Sequence, residues 1–430
     1  MDYGNVQVSE SVNQAFMNSI FAYPNGSRMR TCIQCGTCAG VCPYGPWMEF
    51  TPRKIIHALR MNEFEEVLKS ESVWMCISCF ACANACPQEI PLTDVLMARL
   101  KEEMLLAGNI PQELQDALEN TQRYGNPMGE SPRKRGEWIK ALSPAVPLLG
   151  RDHQSVDVLW YVGDYASYHP AAILATIAFA KILRVLGVDF GILGSLENSD
   201  GDSQRLAGEK GLFEMLADKN AQIFSKFQFN EIVTTDPHAF NAFKNEYPKL
   251  GINFPVRHYT QFLADHLAEI TLMLKKEIDA AVAFHDPCYL GRVNQIYEPP
   301  RQLLRAIPGV ELVEMSHNRS NSLCCGGGGG GMWLDGYTWE IAETRSSEWR
   351  IQEVVPAKPI EDILTVLSPT RKVSKKNGNG KTANIPSRRI LAVACPYEKP
   401  RFEDAKKVVP GAGNLEVMDI AELLADSMGL

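Results

Sequence analysis

The sequence lacks a surplus of positive charge and lacks a long uninterrupted apolar run. Its formal net charge is −8 and its isoelectric point is near 5.6, which argues against non-specific binding of nucleic acid. The longest apolar stretch, residues 171–194, is interrupted by Lys181, Arg184 and Asp189. This stretch therefore predicts a buried helix followed by a strand, and we expect the chain to have no membrane span of its own.

Signals for export and for nucleotide phosphates are also missing. The first eleven residues have no apolar core, so we expect no secretory signal. Six glycines stand together at residues 326–331, but neither the Walker pattern nor a spaced Gly-x-Gly-x-x-Gly occurs. The 12 cysteines of a chain without an export signal indicate a reducing compartment. We therefore expect a cytoplasmic protein, and its 430 residues predict two or three domains.

Eight of the 12 cysteines form two copies of one pattern, Cys-x2-Cys-x2-Cys-x3-Cys-Pro. A disulfide scaffold or paired zinc sites would require neither this doubled spacing nor the proline that ends each run. The pattern resembles that of bacterial ferredoxin modules with two 4Fe–4S clusters, in which the fourth cysteine of each run ligates the other cluster. The resemblance implies two ligand sets: Cys32, Cys35, Cys38 and Cys86, and Cys76, Cys79, Cys82 and Cys42.

The first of the predicted domains is a ferredoxin module over residues 1–110, with an α+β fold. Thr51 and Pro52 predict the start of a helix over residues 52–68. A second helix is expected over residues 92–107, closed by Gly108. Residues 111–154 are rich in proline, glycine and charge, and predict a linker with one short helix near 111–124.

The remainder of the chain predicts an α/β domain built from two related halves, residues 155–275 and 276–430. Apolar segments at residues 156–162, 188–193, 232–235 and 281–284 predict strands that alternate with helices, as expected for such a sheet. The spacing from Asp164 to Ser199 is 35 positions, and that from Cys288 to Cys324 is 36. A longer final interval in the second half indicates a polar insertion near residues 356–388. In this alignment three acidic residues of the first half match cysteines of the second: Asp164 with Cys288, Asp200 with Cys325, and Asp236 with Cys395.

The cysteines of the second half resemble a known motif. Cys288, the sequence Cys324-Cys325-Gly326, and Cys395 resemble the cysteine-rich "CCG" domain, whose pattern is Cys, Cys-Cys-Gly and Cys-x2-Cys. That domain is known from heterodisulfide reductase and related iron–sulfur oxidoreductases. A ferredoxin module followed by such halves resembles the fused small and catalytic subunits of heterodisulfide reductase. The resemblance implies a third iron–sulfur cluster, cubane or noncubane, on Cys288, Cys324, Cys325 and Cys395.

Two departures from the CCG pattern affect this expectation. Glu398 stands where the last cysteine belongs, so it is either a weak additional ligand or a residue that leaves an iron open to substrate. The first half has no cysteine, and its carboxylates suit iron–sulfur clusters poorly, so an oxygen-ligated ion or no metal is expected there. The predicted catalytic residues are Cys288, Cys324, Cys325, Cys395 and Glu398, and the predicted backbone contacts to the cluster come from Gly326, Gly327 and Gly328. His285, His317 and His238 are candidates for tuning the cluster or donating a proton.

These patterns lead to two functional hypotheses. In the first, the chain is an oxidoreductase subunit that passes electrons between a flavoprotein partner, or other redox subunits, and a thiol or disulfide site. In the second, it is a non-catalytic relay between an electron-transfer flavoprotein or hydrogenase and a dehydrogenase or quinone-linked membrane partner. Because the same fold can serve several reactions, the resemblance alone does not choose between them.

Overall fold

The computed structural model describes residues 3–355 and 388–430. Within those ranges the ferredoxin module is built from helices and turns, and no strand precedes Val158. The predicted α+β fold is therefore wrong in its β part. Chain outside the cysteine runs forms amphipathic helices that bury side chains such as Ile55 and Leu59 in a common core. The helices are Tyr3–Ala22, Thr37–Gly40, Pro52–Arg60, Phe64–Lys69, Ala81–Asn84, Leu92–Met97 and Ala98–Leu106, with 3₁₀ turns at Gly26–Thr31, Gly45–Trp47 and Glu71–Val73.

The two helices predicted for this module occur with small differences. The first is divided into Pro52–Arg60 and Phe64–Lys69 because Asn62 between them has a left-handed conformation with φ 61°. The second ends before Gly108, whose φ is 71°. In the linker, a helix over Gln112–Tyr124 agrees with the prediction, and a 3₁₀ segment over Pro132–Ala141 was not predicted.

The α/β domain contains two four-stranded parallel sheets with the same strand order. The first sheet has the order β2-β1-β3-β4 and the second β6-β5-β7-β8. In each sheet the first and third strands pair directly, as in Val158 with Glu231 and Ala280 with Arg388. The strands are β1 Val158–Tyr161, β2 Phe190–Gly191, β3 Glu231–Thr234, β4 Val256–His258, β5 Ala280–Phe284, β6 Val310–Val313, β7 Arg388–Val393 and β8 Leu415–Asp419.

Helices connect the parallel strands in both halves. The apolar stretch that predicted a helix and a strand forms Pro170–Val185 and β2. The helices of the first half are Asp164–Tyr168, Pro170–Val185, Asp202–Leu206, Lys210–Phe224, Pro237–Asn241, Ala242–Glu246, Tyr259–Asp265 and Leu267–Met273, with 3₁₀ turns at Gly194–Leu196 and Tyr247–Leu250. Those of the second half are Tyr289–Val293, Glu298–Ala306, Asp335–Ala342, Ser346–Val354, Glu398–Val408 and Ile420–Met428, with a turn at Arg319–Asn321.

The two halves pack against each other in a reciprocal way. The helix after the first strand of each half contacts the helix after the fourth strand of the other half: Pro170–Val185 packs on Ile420–Met428, and Glu298–Ala306 packs on Tyr259–Asp265. This exchange is what a two-fold arrangement of related units produces. The contacts form one apolar core shared by both halves. Together with the strand order, they support the repeat expected from the sequence.

The ferredoxin module packs directly on this domain, and its apolar core includes Leu212, Leu216 and Leu334. Across residues 3–355 and 388–430, no helix has both the length and the apolar character needed to cross a bilayer. The predicted insertion near 356–388 lies outside the described residues except for Arg388, the first residue of β7.

Candidate iron–sulfur sites

The two cysteine runs enclose two separate cavities. Each cavity is lined by three cysteines of one run and the fourth cysteine of the other, which is the exchange that the ferredoxin resemblance implies. We call them the outer site, with Cys32, Cys35, Cys38 and Cys86, and the inner site, with Cys76, Cys79, Cys82 and Cys42.

The backbone of each run turns sharply around its second cysteine. The residues on either side of Cys35, Gln34 and Gly36, have φ of 57° and 88°. In the second run the corresponding residues, Ser78 and Phe80, have φ of 49° and 60°. Such angles are costly for residues other than glycine and persist where the surroundings enforce them. A short helix carrying the third cysteine follows each turn, so both runs present their thiols from the same local fold.

The two sites differ in their exposure. Cys35 of the outer site is exposed, whereas Cys79 of the inner site is buried. Burial raises the pKa of the Cys38 and Cys79 thiols to about 11, and it also raises the pKa of Cys82. At neutral pH such thiols would stay protonated without a metal, because it is coordination that replaces the proton.

The cysteines of the second half converge at the carboxyl end of its sheet. Cys288 follows β5, Cys395 follows β7, and Cys324 and Cys325 lie in the connection after β6. All four thiols are buried and at most 6% exposed. The Cys288 and Cys324 Sγ atoms are 3.7 Å apart. Ligands commonly bind at this edge of a parallel sheet, and we call these four residues the CCG site.

The thiols of the CCG site interact strongly with one another. Cys288 and Cys325 donate hydrogen bonds to Cys324, which holds the pKa of Cys324 well below its usual range. The backbone N–H of Gly326 also donates to Cys324 Sγ at 3.2 Å. The pKa of Cys288 is raised, first by its hydrogen bond to Cys324 and then by burial, and burial raises that of Cys395. A bound metal would replace the remaining thiol protons and turn the four cysteines into a full ligand set.

The glycine run folds back on itself beside these cysteines. A Cβ atom on Gly331 would lie 2.1 Å from the carbonyl oxygen of Gly326, and one on Gly329 would lie 2.1 Å from Ser78 Oγ. Side chains larger than hydrogen are therefore excluded from these positions. Of the three glycines predicted to contact a cluster, Gly326 donates its N–H to Cys324 Sγ. A Cβ on Gly326, Gly327 or Gly328 would first meet Arg401, Met332 or His238, respectively.

Glu398 and His285, identified separately from the sequence, lie together at the CCG site. Glu398 Oε1 is 3.2 Å from His285 Nε2. One potential ligand atom from each of Glu398, His285 and Cys325 lies within 4.8 Å of the other two. Arg350 Nε donates to His285 Nδ1 at 3.0 Å, so the histidine proton resides on Nε2. Burial and Arg350 lower the pKa of His285 well below its usual value, and burial raises the pKa of Glu398. Arg350, which fixes this pair, carried no signal in the sequence.

The other two histidines have different surroundings. His317 lies at the surface, where its Nδ1 is 2.9 Å from Glu353. His238 is buried in the first half, where its Nδ1 is 3.1 Å from Asp202. Its ring stacks on Tyr289 with centroids 4.0 Å apart. Of the three candidate histidines, the structure therefore brings only His285 to the CCG site.

In the first half an arginine occupies the place that corresponds to the CCG site. Arg135 from the linker bonds to Asp164 Oδ1 at 2.5 Å and to Glu197 Oε1 at 2.9 Å, and all three side chains are buried. Burial raises the pKa of Asp236 to about 6 and that of Asp200 well above its ordinary value. Asp164 is thus neutralised by a protein cation, a solution that the sequence alone did not predict.

The inner site and the CCG site are in direct contact. Arg292 Nε donates to the carbonyl oxygen of Cys79 at 2.8 Å, and its Nη1 donates to that of Ser322. Lys101 Nζ donates to the carbonyl oxygens of Cys76 at 2.8 Å and Gly329 at 3.0 Å. Two buried side chains therefore bridge the second cysteine run and the loops that carry the CCG cysteines.

Unsatisfied polar atoms at this contact fit sulfur-rich groups. Within the described residues, Ser78 Oγ and Arg292 Nη2 are buried and have no hydrogen-bond partner. Buried donors without partners are rare and call for an acceptor that protein atoms do not supply. Cluster sulfides are such acceptors. Four cysteines line each of the outer and inner cavities and four buried cysteines converge at the CCG site, so the residues fit iron–sulfur clusters at these sites.

Comparison with known proteins supports these assignments. Residues 31–91 match the model of the 4Fe-4S dicluster domain family, and residues 282–358 match that of the cysteine-rich domain family. The chain carries a dicluster domain and a cysteine-rich CCG domain. These are the two motifs on which the resemblance to heterodisulfide reductase depends, and the first match lies within the predicted ferredoxin module.

Several redox proteins are similar over most of the chain. A probable iron-sulfur-binding oxidoreductase, FadF, of Bacillus subtilis is 33% identical over 84% of this chain and 47% of its own length. EtfAB:quinone oxidoreductase of Syntrophomonas wolfei is 29% identical over 87% of this chain and 49% of its own. A subunit of the dihydromethanophenazine:CoB–CoM heterodisulfide reductase of Methanosarcina barkeri is 27% identical over 72% of this chain and 66% of its own. The chain thus spans about half the length of the first two relatives.

Proposed function

We propose that this chain is the electron-transferring iron–sulfur part of a redox complex, passing electrons between a flavoprotein partner and the CCG site. It is expected to hold two 4Fe–4S clusters, at the outer and inner sites, and a third iron–sulfur cluster at the CCG site. The relatives, an iron-sulfur-binding oxidoreductase, an EtfAB:quinone oxidoreductase and a subunit of a heterodisulfide reductase, are all redox proteins.

The observation that carries this proposal is the order of the three sites. The outer site reaches the surface at Cys35. The inner site is enclosed and touches the CCG site through Arg292, which lies four residues after Cys288 and bonds to Cys79. Electron tunnelling weakens steeply with distance, so centres in direct succession form an efficient path. A path with one exposed end and one buried end suits a carrier that receives electrons from a separate protein.

The exposed end has features expected of a docking surface. Ile33, which lines the outer site, is 63% exposed, and Val41 is 38% exposed. Exposed apolar side chains near a redox centre favour a short-lived contact with another protein. The name EtfAB:quinone oxidoreductase supports a flavoprotein as that partner.

At the buried end, the chemistry proposed is the handling of a thiol or disulfide. Glu398 in place of a cysteine gives the site an oxygen donor next to a neutral histidine, and an incompletely thiolate-ligated metal can accept an external sulfur ligand. Glu398 and His285 would then hold a proton beside the sulfur atom.

Metal analysis with electron paramagnetic resonance (EPR) tests this proposal on the anaerobically purified full chain. About twelve irons per chain and a third EPR signal that changes on addition of dithiothreitol would support sulfur chemistry at the CCG site. Cys325→Ser is the matched variant, expected to retain about eight irons and to lose the thiol response. About eight irons and no third signal in the wild type would contradict the proposal.

A relay without sulfur chemistry is the second candidate, and the burial of the CCG cysteines favours it. In the described residues none of the four is more than 6% exposed, which leaves little access for a bulky disulfide. A relay would show a third signal that follows the reduction state of the other two but is unaffected by dithiothreitol. The same EPR experiment therefore separates the two candidates.

A further inference from the structure

Two buried cations at the contact between the inner site and the CCG site have no acidic partner. Seven lysine and arginine side chains are buried in the part of the chain that the structure describes. Five of these form ion pairs with aspartate or glutamate: Arg135, Arg301, Arg350, Lys399 and Arg401. The other two, Lys101 and Arg292, form no ion pair within residues 3–355 and 388–430.

Both side chains are fixed by neutral groups only. Lys101, which is fully buried, donates to the carbonyl oxygens of Cys76 and Gly329. Arg292 is 5% exposed, donates to the carbonyl oxygens of Cys79 and Ser322, and keeps its Nη2 without a partner among the described residues. A charge buried without a counter-charge costs several kcal/mol, so such groups are normally paired.

The titratable groups that face these cations are mainly the proposed cluster ligands. Cys76 faces Lys101. Cys79, Cys288 and Cys324 face Arg292, together with Tyr297. The missing counter-charge therefore lies with the thiolates, which carry full negative charge only when a metal holds them deprotonated.

We propose that Arg292 and Lys101 are positioning residues whose positive charge is neutralised by the iron–sulfur clusters and which make the inner and CCG sites easier to reduce. The inference rests on the proposed function, since it requires clusters at these sites. Reduction adds one electron, and thus one negative charge, to a site without adding an atom, and a fixed cation beside the site stabilises that charge.

The expected change in the equilibrium constant for reduction follows from the effect of a single charge on a neighbouring ionisation. One opposite charge at close range shifts a proton equilibrium by about 1–3 pKa units, and one electron adds the same unit charge that the loss of a proton leaves. Arg292→Gln should therefore lower the equilibrium constant for reduction of the inner and CCG sites at least about tenfold, or about 59 mV for one electron. Lys101→Gln should affect the inner site in the same direction.

The test is a redox titration of the full, anaerobically purified chain, followed by EPR at each site, with iron content measured in parallel. The outer site is the internal reference, because neither cation contacts its cysteines. Lys69→Gln removes the same charge from an exposed lysine whose partner is Glu66, and it should leave all three potentials unchanged. Arg292→Lys keeps the charge and should retain most of the wild-type value.

The reduction potentials and the iron content together decide whether the two cations act through their charge. A fall in the inner-site potential in Arg292→Gln, with recovery in Arg292→Lys, supports the inference, as does loss of inner-site iron in the Gln variant alone. Full iron with an unchanged inner-site potential overturns it. Iron loss in both Arg292 variants also overturns it, because shape rather than charge would then be needed. Failure of the proposed function is seen separately, as a wild type with about eight irons and no third signal.

Discussion

Replacing Arg135 with methionine would show what stabilises the half that lost its cysteines. The guanidinium is buried and bonds at 2.5 Å to Asp164 and at 2.9 Å to Glu197. Methionine has a similar length, so the change removes the charge and the hydrogen bonds while largely preserving the packing. It leaves two buried carboxylates without a cation.

The magnitude follows from the cost of breaking a buried ion pair, about 3–5 kcal/mol. Two pairs are broken, but each carboxylate can lose its unpaired charge by binding a proton. Protonation costs about 1.36 kcal/mol for each unit by which the pH exceeds the pKa of the carboxylate. Because burial already raises the pKa of Glu197, its protonation limits the loss of folding free energy to about that of one broken ion pair. For a domain of this size, the expected fall in Tm is ~6–20 °C.

Thermal unfolding of the anaerobic holoprotein at pH 6 and pH 8 measures the effect. Without Arg135 the folded-state pKa of Glu197 rises further above the unfolded value, so the destabilisation is full at high pH and shrinks as the pH falls through the folded value. The loss should thus be larger at pH 8. Lys140→Met, a change at a 79%-exposed side chain in the same segment, is the control. The reasoning is refuted if Arg135→Met lowers Tm no more than Lys140→Met does, or if adding Glu197→Gln restores nothing.

Three further predictions concern the cysteine runs, the glycine run and the first-half carboxylates. Cys42→Ser should remove about four irons from the inner site, although Cys42 belongs to the first run; EPR would contradict the exchange if the outer-site signal disappeared instead. Gly331→Ala places a Cβ 2.1 Å from the Gly326 oxygen and should lower CCG-site iron, whereas Gly336→Ala, with nothing within 4 Å, should not. The pKa of Asp236 is raised to about 6, so stability from this group falls as the pH rises towards 6. As the pH is raised from 5 to 8, the free energy of unfolding of Asp236→Asn should therefore increase by about 1–2 kcal/mol relative to that of the wild type. Thermal unfolding measures this difference, and stability profiles that run parallel with pH in the two proteins would contradict the prediction.

Local patterns in the sequence were informative where the chemistry is local. The doubled cysteine spacing predicted the two cysteine sets that surround the outer and inner cavities, because a cubane needs ligands at short fixed intervals. The apolar segments predicted β1, β2, β3 and β5, and the matched spacings predicted two related halves, with which the equal strand orders of the two sheets agree. Strands β4, β6, β7 and β8 were not predicted. In β6, for example, partly buried and exposed residues alternate, so its apolar signal is weak.

The error in the ferredoxin module has a physical cause. The expectation of an α+β fold came with the ferredoxin resemblance, but the residues between the cysteine runs carry an apolar face at helical spacing, including Ile55, Ile56 and Leu59. This face packs against other helices of the same core. Hydrophobic periodicity is a stronger guide to local structure than the fold of other proteins that share a ligand motif.

The sequence by itself determined which residues could ligate iron, how the cysteines divide into two sets, and which half of the repeat lost its thiols. Tertiary structure alone decided that the inner site touches the CCG site, that Arg135 occupies the first-half site, and that Lys101 lies against Gly329. Lys101 and Gly329 are 228 positions apart, and no periodicity or spacing connects residues so distant. Ligand spacing is fixed by the local geometry of the chain, whereas the neighbours of a buried charge are fixed by the packing of domains.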